Sequence, residues 1–164
     1  MKHTALHYQV GLTLVELLLV VGILGLLFSI AFISIFNVRI ISTNATTTSV
    51  ITSDLKNQQI KAMVGDTEGR GTPDNYGIKI LSNQYVMFHG TNYNSADTAN
   101  FSVPVENGYT LSTTFPNTTV LFASESGEIV NFQSNQNTIT LTNTSSNKTK
   151  TIHFNKYGTI TQVD

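Results

Sequence analysis

The stretch GLTLVELLLVVGILGLL, residues 11–27, opens a long apolar segment that has one carboxylate near its start. From Leu12 to Phe36 the acid Glu16 is the single charged residue, and no proline interrupts the run. A helix over 12–36 would be about 37 Å long at about 1.5 Å per residue, whereas the hydrocarbon core of a bilayer is about 30 Å thick. The stretch therefore predicts a transmembrane helix.

A secretory signal peptide and a plain membrane anchor are two interpretations of this segment. A signal peptide has an apolar region of about 7–15 residues followed by a small-residue cleavage site, but this run is longer and no such site follows it. A single-span anchor accounts for the length, and Glu16 would then reach the lipid headgroups, where a carboxylate costs far less than at the midplane. Lys2 precedes the run and Arg39 follows it, so the basic residues predict no orientation.

A third interpretation rests on the motif as a whole. The polar leader MKHTALHYQVG is followed by Leu12, by an acid four residues later at Glu16, and by the uninterrupted apolar run. This combination resembles the N-terminus of type IV prepilins and pseudopilins, whose pattern is Gly followed by Phe-Thr-Leu-Ile-Glu. The resemblance implies that residues 1–11 are a leader peptide, that prepilin peptidase cleaves between Gly11 and Leu12, and that Leu12 becomes N-methylated. Two departures are Leu12 in place of Phe and Ile33 where many pilins carry a helix-kinking Pro.

The resemblance also gives Glu16 a role. Cleavage would create an α-amino group at Leu12, and this family packs its N-terminal helices side by side in an apolar bundle. A lone carboxylate and a lone ammonium are both costly there, so pairing Glu16 of one subunit with the Leu12 amine of a neighbour relieves both costs. The hypothesis is that this ion pair sets the register between subunits, because it penalises misplacement more than it stabilises correct placement.

Residues 37–64 predict a continuation of the helix into a head. They contain neither Gly nor Pro, so nothing in them ends a helix. Ile40, Ile51, Leu55 and Ala62 fall on one helical face, and the second half of the helix would pack one face on the head. The Thr-rich stretch 43–49 has poor helix propensity and predicts a weak point.

The segment 65–164 predicts antiparallel β-sheet. Gly, Pro and Asp residues within 65–77 end the helix in a loop. Short alternating or apolar runs follow, separated by Asn, Gly and Ser turns. The predicted strands are YGIKI, QYVMF, an extended piece at Phe101–Val105, YTLSTTF, TVLFAS, EIVNFQ, TITLTN, KTIHFN and TITQV. The abundant Thr, Ser and Asn predict a solvated outer sheet face and turns rather than a chemical site.

The predicted fold class is α+β and type IV pilin-like, with a long N-terminal helix packed on a small antiparallel β-sheet head. The predicted domains are the leader 1–11, the transmembrane and assembly helix 12–36, its continuation 37–64 and the head 65–164. The element Phe122–Gly127 and the turn at Gly158 resemble the heads of GspH/FimT-type minor pseudopilins, in which a long helix packs against two small antiparallel sheets.

Composition argues against several function classes. The chain of 164 residues has no cysteine, which excludes a disulfide framework and a Cys-ligated metal site. Only 12% of residues are charged and the net charge is −1, so a basic surface for nucleic acid is not expected. His89 and His153 stand alone in the predicted head, the acids of 65–77 lack EF-hand spacing, and no nucleophile elbow or P-loop is present. We therefore expect no enzyme activity, no cofactor and no metal site.

The expected function is that of a structural subunit, a minor pilin or pseudopilin, of a type IV pilus or type II secretion filament. The resemblance implies four partners: prepilin peptidase, other pilin or pseudopilin subunits, an inner-membrane assembly platform and membrane lipid. It also implies a single-pass inner-membrane protein with an extracytoplasmic head. Two alternatives remain open, a filament-borne binding, adhesion or DNA-uptake module and a membrane-anchored domain that never polymerises.

Overall fold

The computed structural model describes the backbone of residues 13–164 and, within that range, all side chains except those of residues 29–46. The chain divides into two compact units, Met1–Ser42 and Thr43–Asp164. The second unit contains helix residues packed against antiparallel β-sheets, which confirms the predicted α+β class.

Helix α1 spans Leu14–Val64. It continues without a break through residues 43–49, where the sequence predicted a weak point. In the second unit this helix buries one face. Its buried members recur every three or four residues and are Thr48, Ile51, Leu55, Gln58 and Ala62. The predicted face is confirmed at Ile51, Leu55 and Ala62, because each of these side chains is at most 2% exposed. Its fourth predicted member, Ile40, lies outside the described side chains.

The helix ends in a Schellman motif at Gly65. The N–H of Gly65 donates to the carbonyl of Ala62 at 3.2 Å, and the N–H of Asp66 donates to the carbonyl of Lys61 at 3.0 Å. Gly65 has a φ of 64°, a left-handed conformation that a β-carbon disfavours. The glycine after Val64 thus stops the helix and turns the chain towards the first strand.

Within the described residues, eight strands form two four-stranded antiparallel sheets. Sheet A has the order β3-β2-β1-β5 and consists of β1 Tyr76–Ile80, β2 Gln84–His89, β3 Phe101–Pro104 and β5 Thr119–Phe122. Sheet B has the order β4-β6-β7-β8 and consists of β4 Tyr109–Thr113, β6 Thr138–Asn143, β7 Thr149–Phe154 and β8 Ile160–Val163. The predicted small β head is therefore divided into two sheets.

Both sheets and the second half of α1 contribute to one hydrophobic core. Sheet A supplies Ile78 and Val120, which are fully buried, and sheet B supplies Ile139 and Phe154, each 1% exposed. Phe154 also meets Phe115 edge to face, with ring centroids 5.8 Å apart. Burial of such side chains, at about 25 cal/mol per Å² of apolar surface, is the main force that joins the two sheets.

The outer face of sheet B is lined by hydroxyl groups. Strand β6 reads Thr-Ile-Thr-Leu-Thr-Asn, and its three Thr are half-buried while the residues between them are buried. The hydroxyls of Thr140 and Thr151 lie 3.2 Å apart across the β6–β7 pair. The solvated outer face predicted from the Thr content is confirmed for this sheet.

One predicted strand was wrong, because the structure describes no strand at residues 128–133. Ile129 makes only an isolated bridge to Phe122. Its N–H donates to the carbonyl of Lys156 at 2.9 Å, and Asn131 has a φ of 54°, which turns the chain away from an extended conformation. The apolar residues of EIVNFQ are thus packed by the tertiary structure without strand pairing of their own.

Candidate functional site

Two of the predicted site residues, Gly11 and Leu12, lie outside the described residues. Glu16 lies in the first turn of α1, and its side chain is exposed. The structure therefore places one member of the predicted site. Cleavage between Gly11 and Leu12, and N-methylation of Leu12, stay predictions.

Thr13 and Glu16 form the beginning of helix α1. Thr13 precedes the first helical residue, Leu14, so it occupies the N-cap position. The N–H of Glu16 donates to Thr13 Oγ1 at 3.3 Å, and the N–H of Leu17 donates to the carbonyl of Thr13 at 3.1 Å. This arrangement is the N-cap half of a capping box. Sequence reasoning missed it, although Thr-x-x-Glu before an apolar run is its signal.

The first turn also gives the charge of Glu16 a local partner. The first N–H groups of a helix and its aligned peptide dipoles amount to a positive charge of about one half at the N-terminus. A carboxylate there is stabilised by about 0.3–1 kcal/mol on a surface. Glu16 is therefore a favourable residue for starting this helix even without a second subunit.

The first turns of α1 expose their apolar side chains in every direction. All side chains of residues 13–28 are exposed. Leu14, Leu18 and Leu26 are 75%, 64% and 70% exposed. Because successive helical residues turn by about 100°, no single face of this segment is shielded. A helix that is apolar all round is typical of a segment that is covered by lipid or by other helices.

Over the described part of the chain, no helical segment combines the length and the apolar character that crossing a membrane requires. The predicted span, residues 12–36, extends beyond the side chains that the structure describes, which stop at Phe28 in this segment. The transmembrane helix therefore stays a prediction.

In the second unit, Gln59 joins the helix to the C-terminal part of the chain. Its Nε2 donates to the carbonyl of Gly127 at 3.0 Å and to the carbonyl of Tyr157 at 2.6 Å. Gly127 and Gly158 have φ values of 68° and 70°, and a β-carbon on either glycine would collide with the Met63 or Gln59 side chain. Glycine is thus needed at both positions for the helix to approach. These two glycines belong to the elements that carry the resemblance to the GspH/FimT-type head.

Tyr85 forms a second link between the helix and sheet A. Its hydroxyl donates to Asp54 Oδ2 at 2.5 Å. Burial, together with this hydrogen bond and the charge of Asp54, raises the pKa of Tyr85 well above its usual range. Tyr85 is therefore a neutral donor that holds a helix carboxylate, and it is not placed to act as a base.

Charged residues tie the loop 65–75 to the loop 90–100. Arg70 Nη2 lies 2.8 Å from Asp97 Oδ2. The backbone N–H of Ala99 and the Arg70 guanidinium lower the pKa of the Asp97 carboxyl. The acids of the 65–75 loop have partners of their own, because Glu68 Oε1 lies 2.5 Å from Lys61 Nζ and Asp66 Oδ1 accepts the N–H of Glu68 at 2.9 Å.

The buried side chains of Tyr76 and His89 lie beneath these loops. Their rings stack with centroids 4.5 Å apart and planes 8° apart. Burial, followed by the nearby charges of Glu68 and Asp66, raises the pKa of Tyr76 to about 12. Neither ring nitrogen of His89 hydrogen-bonds to another described residue, although its Nδ1 lies 4.0 Å from Glu68 Oε2. The stack fills the base of the loop network.

Catalysis or metal binding would require titratable or nucleophilic groups that lie close together among the described side chains. No group of three or more His, Asp or Glu in that part of the chain is placed to hold a metal ion. The buried hydroxyl of Ser124 has no hydrogen-bond partner among the same residues, so no base is placed to accept its proton. His153 Nε2 lies 3.1 Å from Asp164 Oδ2 on the surface. The predicted lone histidines are therefore a stacked core residue and half of a surface pair.

Comparisons of the chain with models of protein families, with curated proteins and with solved structures give no match.

Proposed function

We propose that this chain is a structural subunit, a minor pilin or pseudopilin, of a type IV pilus or type II secretion filament. The main support for the proposal is that the N-terminal sequence motif leads directly into the exposed apolar start of helix α1. The residues Gly11 to Glu16 follow the prepilin pattern, and a helix that begins at Leu14 presents only exposed side chains through Phe28. Apolar side chains of this kind must be shielded from water. In a filament subunit, lipid shields them before assembly and neighbouring helices shield them afterwards.

The proposed maturation of the chain has two stages, a membrane-bound precursor and a processed filament subunit. As a precursor it is held in the inner membrane by residues 12–36, with the leader 1–11 in the cytoplasm and the head outside. Prepilin peptidase then cuts between Gly11 and Leu12 and methylates Leu12. The mature chain, which starts at Leu12, enters a pilus or pseudopilus through its N-terminal helix, with an inner-membrane platform as its assembly partner.

The proposed role of Glu16 combines two interactions. Within one chain, the carboxylate stabilises the positive end of α1 next to the Thr13 cap. Between chains, it pairs with the Leu12 amine of a neighbour in the apolar bundle, where either charge alone would be costly. The first interaction holds the carboxylate near the helix start, which is where the second needs it.

A more specific proposal is that the chain is a minor subunit of the GspH/FimT type, and the architecture of the head supports it. The second unit has one helix packed on two small antiparallel sheets. The turns at Gly127 and Gly158 meet the Gln59 region of the helix closely enough to exclude a β-carbon. These two turns are the elements that the sequence resemblance named.

Processing by a prepilin peptidase tests the proposal directly. The chain is co-expressed with such a peptidase, and its N-terminus is read by intact mass spectrometry. We expect loss of residues 1–11 and one added methyl group on Leu12. Gly11→Val should leave the precursor uncut, whereas the matched change Gly22→Val should be cut normally, since a β-carbon at Gly22 meets nothing within 4 Å. An intact precursor, or a cut elsewhere, would refute the proposed maturation.

Incorporation into a filament tests the role of Glu16. Because the chain has no cysteine, a single introduced one at the exposed Leu19 allows subunits to be cross-linked through their helices. Glu16→Gln should be processed normally but cross-link and assemble poorly, while the exposed control Glu106→Gln should assemble normally. Normal processing without cross-linking in the otherwise unaltered chain would favour a membrane-anchored domain that never polymerises.

A further inference from the structure

The outer face of sheet A carries a polar cavity of about 290 Å³. Because side chains alternate along a strand, Lys79 of β1 and Leu121 of β5 project away from the core that contains their neighbours Ile78 and Val120. The cavity opens above Lys79 and Leu121. It lies wholly within the second unit.

Three side-chain amides line the cavity from three separate segments of the chain, namely Asn92, Asn117 and Asn131. None of these amides hydrogen-bonds to another described residue, and neither does the hydroxyl of Tyr93, which also lines the cavity. Each amide has two N–H donors and one carbonyl acceptor. A sugar hydroxyl both donates and accepts, so a cluster of amides with uncommitted groups is suited to a ligand rich in hydroxyls.

Lys79 is the one charged residue on the cavity wall as the structure describes it. Its Nζ donates to the carbonyl of Asn117 at 2.7 Å, which leaves two N–H groups for a ligand. The same atom lies 5.9 Å from the centroid of the Tyr93 ring. Since no carboxylate lines the cavity, an anionic group on the ligand would meet this ammonium without a competing acid.

The floor of the cavity is apolar. Leu121 and Val130 are half-buried there, and Phe115 is buried beside them. The Tyr93 ring meets the edge of Phe88, with centroids 5.5 Å apart and planes at 68°. Apolar and aromatic side chains of this kind can cover the C–H face of a sugar ring while the amides reach its hydroxyls.

The edge of β5 that borders the cavity is already occupied. The N–H of Val130 donates to the carbonyl of Leu121 at 2.8 Å. An extended peptide therefore cannot add itself to β5 at this point by main-chain hydrogen bonds. A ligand here must therefore be recognised by the surrounding side chains and not by strand addition to β5.

Tight turns set the backbone conformation at Asn117 and Asn131, whose side chains are exposed. Asn117 and Thr118 have φ values of 51° and 49°, and the N–H of Thr119 donates to the carbonyl of Pro116, which makes a type I′ turn. Asn131 also has a left-handed φ of 54°. A backbone that is set in advance loses less conformational entropy when the side chains on it bind a ligand.

We propose that this cavity binds one carboxylated sugar residue, a hexuronate, within an acidic saccharide. The ammonium of Lys79 holds the carboxylate, and the amides of Asn117 and Asn131 hold hydroxyls. Leu121 and Val130 contact the C–H face of the ring. The volume suits one such residue, because sites for larger drug-sized ligands begin at about 300 Å³. The inference does not rest on filament assembly, since it concerns the outer face of the head.

Saturation-transfer NMR on the full-length protein in lipid nanodiscs tests this binding. The probes are glucuronate, glucose and N-acetylalanine, of which the last imitates a peptide carboxyl terminus. Glucuronate should bind at least about tenfold more tightly than glucose, since only glucuronate makes the charge-assisted contact with Lys79. Absence of glucuronate binding, equal binding of glucose, or binding of N-acetylalanine as tight as that of glucuronate would each overturn the proposal.

Three variants locate the site. Lys79→Met should weaken glucuronate binding about tenfold, whereas the exposed control Lys148→Met should leave it unchanged. Asn131→Gly removes an amide but keeps a residue that tolerates the positive φ, so the fold is preserved and binding should weaken several-fold. If Lys79→Met fails to fold, as judged by thermal unfolding, the Asn131→Gly result decides. Unchanged affinity in Asn131→Gly would refute the assignment of the site.

Discussion

Replacing Gln59 by Ala should destabilise the second unit by removing both hydrogen bonds between the helix and the C-terminal turns. Gln59 Nε2 donates to the carbonyls of Gly127 and Tyr157 at 3.0 and 2.6 Å. A typical intramolecular hydrogen bond contributes about 0.5–1.5 kcal/mol net. One of these two is exposed and one is half-buried, so water partly replaces them in the variant. We expect a loss of about 1–2 kcal/mol in the free energy of unfolding.

Urea unfolding of the compact unit 43–164, followed by tyrosine fluorescence, measures this loss, since the chain contains no Trp. With a slope of about 1–3 kcal/mol per M, the midpoint should fall by about 0.3–2 M and the slope should stay constant. Gln59→Glu should be at least as destabilising, because a carboxylate at this position has no N–H to offer and faces two carbonyl oxygens.

The matched control is Asn57→Ala on the exposed side of the same helix. A surface change of this kind should alter stability by at most about 0.5 kcal/mol. If Gln59→Ala behaves like Asn57→Ala, the two hydrogen bonds contribute nothing and the assigned role of Gln59 is wrong.

Three further predictions concern the same unit. Gly158→Ala should cost more stability than Gly108→Ala in urea unfolding, because both glycines have a positive φ but only a β-carbon at Gly158 collides with Gln59; equal losses would contradict the close approach. The pKa of Asp97 is lowered in the fold, so the stability that this carboxylate contributes is present above its pKa in the unfolded chain and is lost as the pH falls. Asp97→Asn should therefore flatten the loss of stability between about pH 5 and 3. An unchanged pH profile would count against the Arg70–Asp97 pair. The pKa of Tyr76 is raised from 10.0 to about 12, so the stability that the neutral phenol contributes is present below its pKa in the unfolded chain and is lost as the pH rises through this range. Tyr76→Phe should therefore make stability fall less steeply at alkaline pH. A fall as steep as that of the unaltered chain would contradict the raised pKa of Tyr76.

Local patterns predicted the elements that depend on local physics. The face of Ile51, Leu55 and Ala62 follows from helical periodicity, and its burial is confirmed. The strands YGIKI and QYVMF follow from two short apolar runs, and they are observed as the antiparallel pair of β1 and β2. In both cases neighbouring residues alone carry the signal.

The predictions that failed or were missed involved competing local signals. EIVNFQ has the composition of a strand, but the left-handed Asn131 and a hydrogen bond to Lys156 give it other partners. Glu16 was interpreted as a contact with lipid headgroups or as half of an ion pair between subunits, so its place three residues after the cap Thr13 was overlooked.

The cavity and the Gln59 contacts had no signal in the sequence. Lys79, Asn117 and Asn131 belong to distant segments, and only the pairing of β1 with β5 brings them to one wall. Gln59 likewise meets Gly127 and Tyr157 across long separations in the chain. Sites assembled from such separated residues require the tertiary structure.

The cap at Thr13 leaves a single residue, Leu12, between the first helical turn and the predicted cut after Gly11. A cut there would give the new α-amino group almost no tether of its own, since one residue spans at most about 3.6 Å. The ammonium would then lie close to the positive end of the helix, which repels it. In the processed chain the α-ammonium would therefore be repelled by the helix dipole of its own chain. The carboxylate of Glu16 is the nearest negative charge in the sequence that can offset this repulsion.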